Sequence, residues 1–310
     1  MSEQKSEDKF IVTTTINSPS KALKLFSEME GWTLIVVGDL KTPHEKFRKL
    51  NCIYLDPEKQ DKKYGELSKI IGWNSIQRRN IGFVEAFHLG ASIIATVDDD
   101  NIPFDSWGQD LMINREVECD TYKSEVEIFD PLSVTNQSIL WHRGFPIELV
   151  PQKNNVTYVG KTKRKILVQA DLWDGDPDID AIARLAFNPI VKFSSNILPF
   201  CSTDISPFNS QNTFLAREVL PYYSVLPFIG RMDDIWGSYI LQQTFPGCVA
   251  YNKASVYQER NPQDLIKNLE NEIVGYRNTL NLLRNLNDWK TFLPEKTIQF
   301  LKVYESFFKP

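Results

Sequence analysis

The sequence predicts an α/β protein: a mostly parallel central sheet flanked by helices, with further helices at the C-terminal end. Three observations predict it. Short β-branched and apolar runs alternate with helix-length segments over the first hundred residues, the pattern of βαβ units. Residues 92–97 form an apolar run that leads straight into Asp98, Asp99 and Asp100, so a buried strand ends in three acids. Residues 262–286 place Leu265, Ile266, Leu269, Ile273, Tyr276 and Leu280 at three-to-four spacing, as a long amphipathic helix does.

Residues 10–16 read as the first strand. Ser18 and Pro19 then offer a helix cap followed by proline at the first helical position, with the helix running to about residue 30. Residues 33–37 are a second buried strand, closed by Gly38 and Asp39. Pro43 starts a short helix, and residues 52–55 are a short third strand. The polar stretch 56–69 reads as an ordered loop with a helical turn. Residues 75–89 form a helix that Gly90 stops, and the acid-ended strand follows. Residues 141–146, 170–181 and 199–212 are rich in Pro, Asp, Gly and Asn and read as functional loops or strand ends. Residues 212–216 are a strand, and 231–243 a helix or a bent turn leading into one. A final helix spans about 295–307. No boundary cuts the chain into independent domains. The expectation is one unit over 1–310, with a nucleotide-binding half at about 10–105, a sugar and acceptor half at about 106–260, and C-terminal helices at about 262–308.

The 310 residues are 42% hydrophobic and 12% aromatic, enough for a sizeable core. A net charge of −5 argues against nucleic acid as a partner. Cys52, Cys119, Cys201 and Cys248 are widely spaced, which fits reduced thiols in the cytoplasm better than disulfides or a zinc site. The polar N-terminus carries no signal or anchor pattern, and no apolar run approaches the ~20 residues of a membrane span. A homo-oligomer is compatible with the sequence.

Three adjacent carboxylates at a strand end repel one another and are costly to desolvate. A divalent cation between them relieves this, and aspartate oxygens with room for phosphate suit Mg²⁺ or Mn²⁺. In open α/β sheets ligands bind outside the carboxyl ends of strands. The triplet therefore points either to a metal-assisted nucleotide site or to a solvated turn.

Other segments sharpen the choice. Trp141-His142-Arg143-Gly144-Phe145-Pro146 resembles a W-x-R-G-x-P segment of the STELLO-type glycosyltransferase-like proteins. It is also similar to a segment of the plant reversibly glycosylated polypeptides, which include UDP-arabinopyranose mutases. The run from Leu172-Trp173 through Pro177-Asp178-Ile179-Asp180-Ala181 resembles the L-W-x-x-x-P-D-x-D-A segment of the mutases without a gap. Gly230-Arg231-Met232-Asp233-Asp234-Ile235-Trp236 resembles their G-R-x-D-D-x-W segment. Thr14-Thr15-Ile16-Asn17 and Gln258-Glu259-Arg260-Asn261-Pro262 look STELLO-like. The sequence departs from the mutases at Asn101, where they carry Cys after the acids. On this reading neither the membrane anchor nor the extra domain of STELLO-type proteins is expected.

The resemblance implies a GT-A-like (Rossmann-like) fold and a glycosyltransferase that takes a nucleotide sugar, a UDP-sugar first, with Mn²⁺ or Mg²⁺ at a D-x-D motif. The acceptor would be a glycan, lipid or protein. A UDP-sugar pyranose/furanose mutase is the alternative, and a non-catalytic sugar-nucleotide-binding scaffold the second. By the same resemblance Asp100 is the main metal ligand, Asp98 contacts metal water and ribose, and Asp99 caps the turn beside the nucleotide. Thr14 lines the base pocket. Asp39 bonds the base or ribose, or caps its own loop. Arg79 reaches the diphosphate, or lies on a solvated helix face. Arg143 is a cation for the diphosphate and transition-state charge, or the site of the reversible glycosylation reported for the mutases. Asp178 and Asp180, two apart on an extended chain, hold sugar hydroxyls or help the metal. Asp233 and Asp234 sit on the acceptor side, where such an Asp would serve as general base in an inverting transferase or orient the sugar in a retaining enzyme or mutase. Trp173 and Trp236 stack on a sugar ring, or pack in the core.

Overall fold

The computed structural model describes residues 8–197 and 199–309. Its first part alternates β1 (Lys9–Thr15), α1 (Lys21–Ser27), β2 (Thr33–Gly38), α2 (His44–Phe47), β3 (Ile53–Leu55), α3 (Pro57–Ile71), α4 (Arg79–His88) and β4 (Ile93–Val97). The second part holds β5 (Asn101–Pro103), β6 (Glu116–Ser124), β7 (Val156–Lys165), β8 (Val168–Gly175), α5 (Ala181–Phe187), β9 (Phe200–Ser202), β10 (Asn212–Ala216), α6 (Asp233–Thr244), β11 (Val249–Gln258), α7 (Leu265–Arg284) and α8 (Glu295–Ser306).

The strands form one sheet in the order β3-β2-β1-β4-β10-β8-β11-β9-β6-β7, with β5 paired to β11. β3, β2, β1 and β4 are parallel, as expected. Their strands are buried on both faces because helices cover both sides. Gly82 of α4 lets that helix approach closely: a Cβ there would stand 2.5 Å from Val12 Cγ1 and 3.0 Å from Val37 Cγ2. Beyond β4 the sheet is mixed rather than mostly parallel. β10 runs antiparallel to both neighbours, and β6 and β7 pair antiparallel on either side of the long connection 125–155. These pairs join strands far apart in sequence, where no βαβ crossover imposes a parallel direction.

Other local expectations change as well. α1 is capped by Ser20, whose hydroxyl accepts from Leu23 N at 3.1 Å, so Ser18 and Pro19 precede the cap. Residues 57–71 are a helix, not a loop. Asp56 caps it through Lys59 N at 2.9 Å, Pro57 starts it, and Gln60, Tyr64, Leu67, Ser68 and Ile71 form its buried face. That face is too polar to read as a helical stripe. On α7 the buried positions are Glu272, Gly275, Thr279, Leu282 and Leu283, while Ile266 and Ile273 point outward. Gly275 and polar Glu272 face inward because the helix packs on the start of α6 and its charged loop. Among the described residues no helix is long and apolar enough to cross a membrane, and the four cysteines are free.

Candidate functional site

The strand order reverses between β1 and β4, and an open cleft of about 510 Å³ lies at the carboxyl ends of the strands there. Thr14, Thr15, Asp39, Asn74, Ser75, Asp99 and Asn261 help to line it. This is where open α/β sheets take ligands. A smaller cavity of about 300 Å³, between α6 and α8, contains none of the acids discussed below.

Thr14 Oγ1 donates to Val37 O at 2.8 Å and faces the cleft. Asp39 is buried and accepts from Leu40 N at 2.6 Å, Asn74 N at 2.9 Å and Ser75 N at 3.1 Å. It ties the loop before α4 to the end of β2. Asp39 is therefore a loop cap, and the loop it fixes supplies a wall of the cleft.

The three acids have different surroundings. Asp98 Oδ1 stands 2.6 Å from Arg79 Nη2. Arg79 is almost wholly buried and also donates to Ser210 O and Ser210 Oγ, at 2.6 and 2.7 Å. Its guanidinium is thus committed inside the protein, which corrects the expectation that it meets a diphosphate or solvent. Asp99 accepts from Thr15 Oγ1, from Asn17 Nδ2 at 3.0 Å and from Asn261 Nδ2 at 3.0 Å. Asp100 Oδ2 accepts from Asn261 N at 2.8 Å, while its Oδ1 is buried without a partner. Burial and the Asp98 charge push the Asp100 carboxyl up to about 6.

That orphaned oxygen is the test of fit for a cation. No group of three or more His, Cys, Asp and Glu side chains placed to hold a metal ion occurs among the described residues. Mg²⁺ commonly takes only one or two carboxylates and completes its shell with phosphate and water. Asp100 fits that donor set. Asp98 offers it one oxygen at most, since the other belongs to Arg79.

Behind the triplet lies a buried network of arginines and carboxylates. Gly144, at φ +82°, turns the loop that carries Arg143, and Tyr239 OH bonds Gly144 O at 2.9 Å. Arg143 Nη2 reaches Asp178 Oδ2 at 2.8 Å, and Nη1 lies 2.9 Å from Asp234 Oδ1 and 3.8 Å from Asp233 Oδ1. Asp178, just past β8, also meets Arg231 Nη2 at 2.9 Å and Asn209 Nδ2 at 3.1 Å, with Arg260 Nη2 at 3.7 Å. Burial would raise this carboxyl, but Arg143, Arg231 and Arg260 outweigh it and hold Asp178 far below the usual range. Asp233 and Asp234 open α6. Against its burial, Arg143 holds Asp234 low, and Ser210 N adds a bond at 2.8 Å. Asp233 accepts from Gln77 Nε2 at 2.7 Å, and burial plus the Asp234 charge push it up to about 7.

Stretches of 189 and 186 residues, 56% of the chain in each case, are 25% and 23% identical to "Probable glycosyltransferase STELLO1" and "Probable glycosyltransferase STELLO2" of Arabidopsis thaliana. The chain is similar to the STELLO proteins. It spans about a quarter of the length of these curated relatives, 24% of each. No protein-family model matches it. Two solved structures of glucosyl-3-phosphoglycerate synthase from Mycobacterium tuberculosis align with 89% of this chain and 80% of their own. One, with Mg²⁺ and UDP, is 11% identical with a TM-score of 0.46. The other, with Mn²⁺, UDP-glucose and phosphoglyceric acid, is 12% identical with a TM-score of 0.47.

Three expected site residues lie elsewhere. Asp180 does not share a face with Asp178; it caps α5, accepting from Ile182 N at 2.8 Å and Ala183 N at 3.3 Å. Burial and Glu272 push its carboxyl up to about 7. The chain turns between Pro177 and Asp180, so the two-residue alternation of a strand does not apply. Trp236 is fully buried and donates to Thr279 Oγ1 at 3.0 Å. Trp173 is buried edge-on against His142 and Phe193. Both indoles are core residues and cannot stack on a sugar. Conversely, Ser210, Arg231, Arg260 and Asn261 belong to the site without having been singled out. Arg231 and the Arg260-Asn261 pair sit inside STELLO- and mutase-like segments, which was the available signal. Ser210 carried none.

Proposed function

We propose that the chain is a glycosyltransferase that uses a nucleotide sugar, most simply a UDP-sugar, together with Mn²⁺ or Mg²⁺. One observation carries this reading: the unpartnered Asp100 Oδ1 lies at the strand end beside the cleft of about 510 Å³ at the β1–β4 reversal. The likeness to the STELLO proteins supports it. Thr14, Asn74 and Ser75 would take the nucleoside side of the cleft and Asp99 the diphosphate side, with Asp100 the next residue along the chain. Asp100 would hold the cation with phosphate oxygens and water. When bound, the cation neutralises charge that grows on the departing diphosphate.

The carboxylates of α6 divide the remaining work. Asp234 is fixed as an anion by Arg143 and supplies charge opposite a developing oxocarbenium ion. Asp233, with its carboxyl near 7, is the group able to take a proton from an acceptor hydroxyl. Of the two acids this favours Asp233 as the base, because Asp234 Oδ2 accepts from Arg143 Nη2 and Ser210 N and its Oδ1 stands 2.9 Å from Arg143 Nη1 in an ion pair. Arg143 is a cation that organises both acids. Its carboxylate partners raise its affinity for its proton well above the ordinary value, and a protonated guanidinium is no nucleophile. That disfavours covalent attachment of sugar and, with it, the mutase alternative. The acceptor is a glycan, lipid or protein hydroxyl, and the four free cysteines suit the cytoplasm.

Calorimetry of UDP-, GDP- and CDP-sugars with and without Mn²⁺, followed by NMR of the binder over hours, tests the reading. Metal-dependent binding of a UDP-sugar with slow release of free sugar is the expected result. Conversion to a ring isomer would establish the mutase instead, binding without any turnover the non-catalytic scaffold, and no binding to any of them would overturn the nucleotide-sugar reading.

A further inference from the structure

The turn before α4 holds Asp233 by its side chain and by its backbone. Gln77 Nε2 donates to Asp233 Oδ2 at 2.7 Å, across 156 positions of sequence. Asn80 Nδ2 donates to Gln77 O at 2.8 Å and to Val225 O at 2.7 Å, and Asn80 Oδ1 accepts from Val225 N at 2.9 Å. The next amide, Leu226 N, donates to Asp233 O at 3.0 Å. Both attachments of Asp233 therefore lead back to the same short turn.

The Gln77 amide has a fixed sense. Ser75 Oγ donates to its Oε1, so its NH₂ end meets the carboxylate; the reverse would set Oε1 against the Asp233 oxygens. Ser75 N is itself bonded to Asp39 Oδ2 at 3.1 Å, and Ser75 lines the cleft. Two hydrogen bonds thus join the cleft wall to Asp233. The charged groups that face this carboxyl are Asp234 beside it on α6 and Arg143, whose Nη1 stands 3.8 Å from Oδ1, beyond hydrogen-bonding distance. The buried Tyr223 is near enough for the Asp233 charge to act on it. Burial and Asp234 push the Asp233 carboxyl up, while Arg143 and the Gln77 N–H pull it the other way.

We propose that Gln77 is a positioning residue for Asp233: oriented by Ser75, it holds Oδ2 and leaves Oδ1 to take the proton of an acceptor hydroxyl. The inference rests on the reading of Asp233 as the base and supplies the group that holds it. As the proton passes to Oδ1, the acceptor oxygen bonds to the sugar carbon, and the diphosphate leaves with the electron pair of the broken bond. The Gln77 N–H stabilises the anion that takes this proton. Without it the carboxyl stays protonated over a wider range of pH.

Carbon-13 NMR of the Asp233 carboxyl in the full chain, assigned with Asp233→Asn, tests this. Gln77→Met keeps the length of the side chain and removes the N–H. Its Asp233 midpoint is expected about one pH unit above wild type, the scale of one hydrogen bond to a charged group. A side chain that only packs would leave the midpoint unmoved. Ser75→Ala keeps Gln77 and the backbone bonds to Asp39, and is expected to move the midpoint the same way by less. It carries the test if Gln77→Met does not fold by its melting curve. UDP with Mn²⁺ should bind Gln77→Met and wild type alike by calorimetry. A wild-type midpoint in the folded variant overturns the positioning role alone. An Asp233 that titrates at 3.8 in the wild type overturns its reading as the base, and the role of Gln77 with it. No binding of UDP to the wild type overturns the nucleotide reading, whatever the midpoints.

Discussion

Arg79 and Asp98 form an ion pair, Nη2 to Oδ1 at 2.6 Å, that fastens the start of α4 to the end of β4. The arginine is 1% exposed, so its charge has no access to water. Removing the partner leaves a buried cation uncompensated, which costs on the order of 3 kcal/mol. Asp98→Asn is expected to lower the urea midpoint accordingly. Asp100→Asn should leave the midpoint within about 1 kcal/mol of wild type while abolishing Mn²⁺ titration. Equal losses of stability in the two variants would show that the acids are not divided between structure and metal.

Arg143 serves Asp178 and Asp234 through a planar fork. Lysine keeps the charge but offers one point of attachment. Arg143→Lys is expected to destabilise the protein by roughly 2–4 kcal/mol and to cut kcat with little change in donor affinity. Full activity in this variant would remove Arg143 from the reaction.

Asp233 makes the stability depend on pH with a defined sign. In the folded protein burial and Asp234 raise its carboxyl from 3.8 to about 7. Its contribution is complete below 3.8 and is lost as pH rises toward 7, because the unfolded chain releases that proton first. Asp178 and Asp234, which are lowered, act oppositely: their contribution is present above 3.8 and is lost as pH falls. Urea midpoints between pH 5 and 7 should therefore show Asp233→Asn relieved of a slope of about 1.4 kcal/mol per pH unit. Parallel curves for variant and wild type would mean that Asp233 titrates normally. The acid limb of kcat, set near pH 7 by the same group, should disappear in the variant along with most of the rate.

Trp236 and Trp173 test the boundary between core and site. Trp236→Phe removes the donor to Thr279 Oγ1 and shrinks a fully buried side chain. A loss of about 2 kcal/mol is expected, with an unchanged KM for the donor. A raised KM at wild-type stability would restore the sugar-stacking role.

The sequence by itself determined the parallel βαβ beginning, the acid-ended strand, the strand at Asn212–Ala216 and the helical end. Each of these is written in local periodicity or in a contiguous motif. It also singled out Arg143, Asp178, Asp233 and Asp234, through the segments that carry them, and the fold brings these four into one buried network. It did not disclose which partner each charge would find. Arg79 meets Asp98 across 19 positions, Arg143 meets Asp234 across 91, and Asn261 reaches Asp99 across 162. Nor did it separate Asp178 from Asp180, or place Trp173 and Trp236 in the core. A side chain's type is local, but its burial and its partner are set by how distant elements pack. That packing decides which carboxylate caps a helix, which is neutralised by an arginine, and which is left with an unpartnered oxygen.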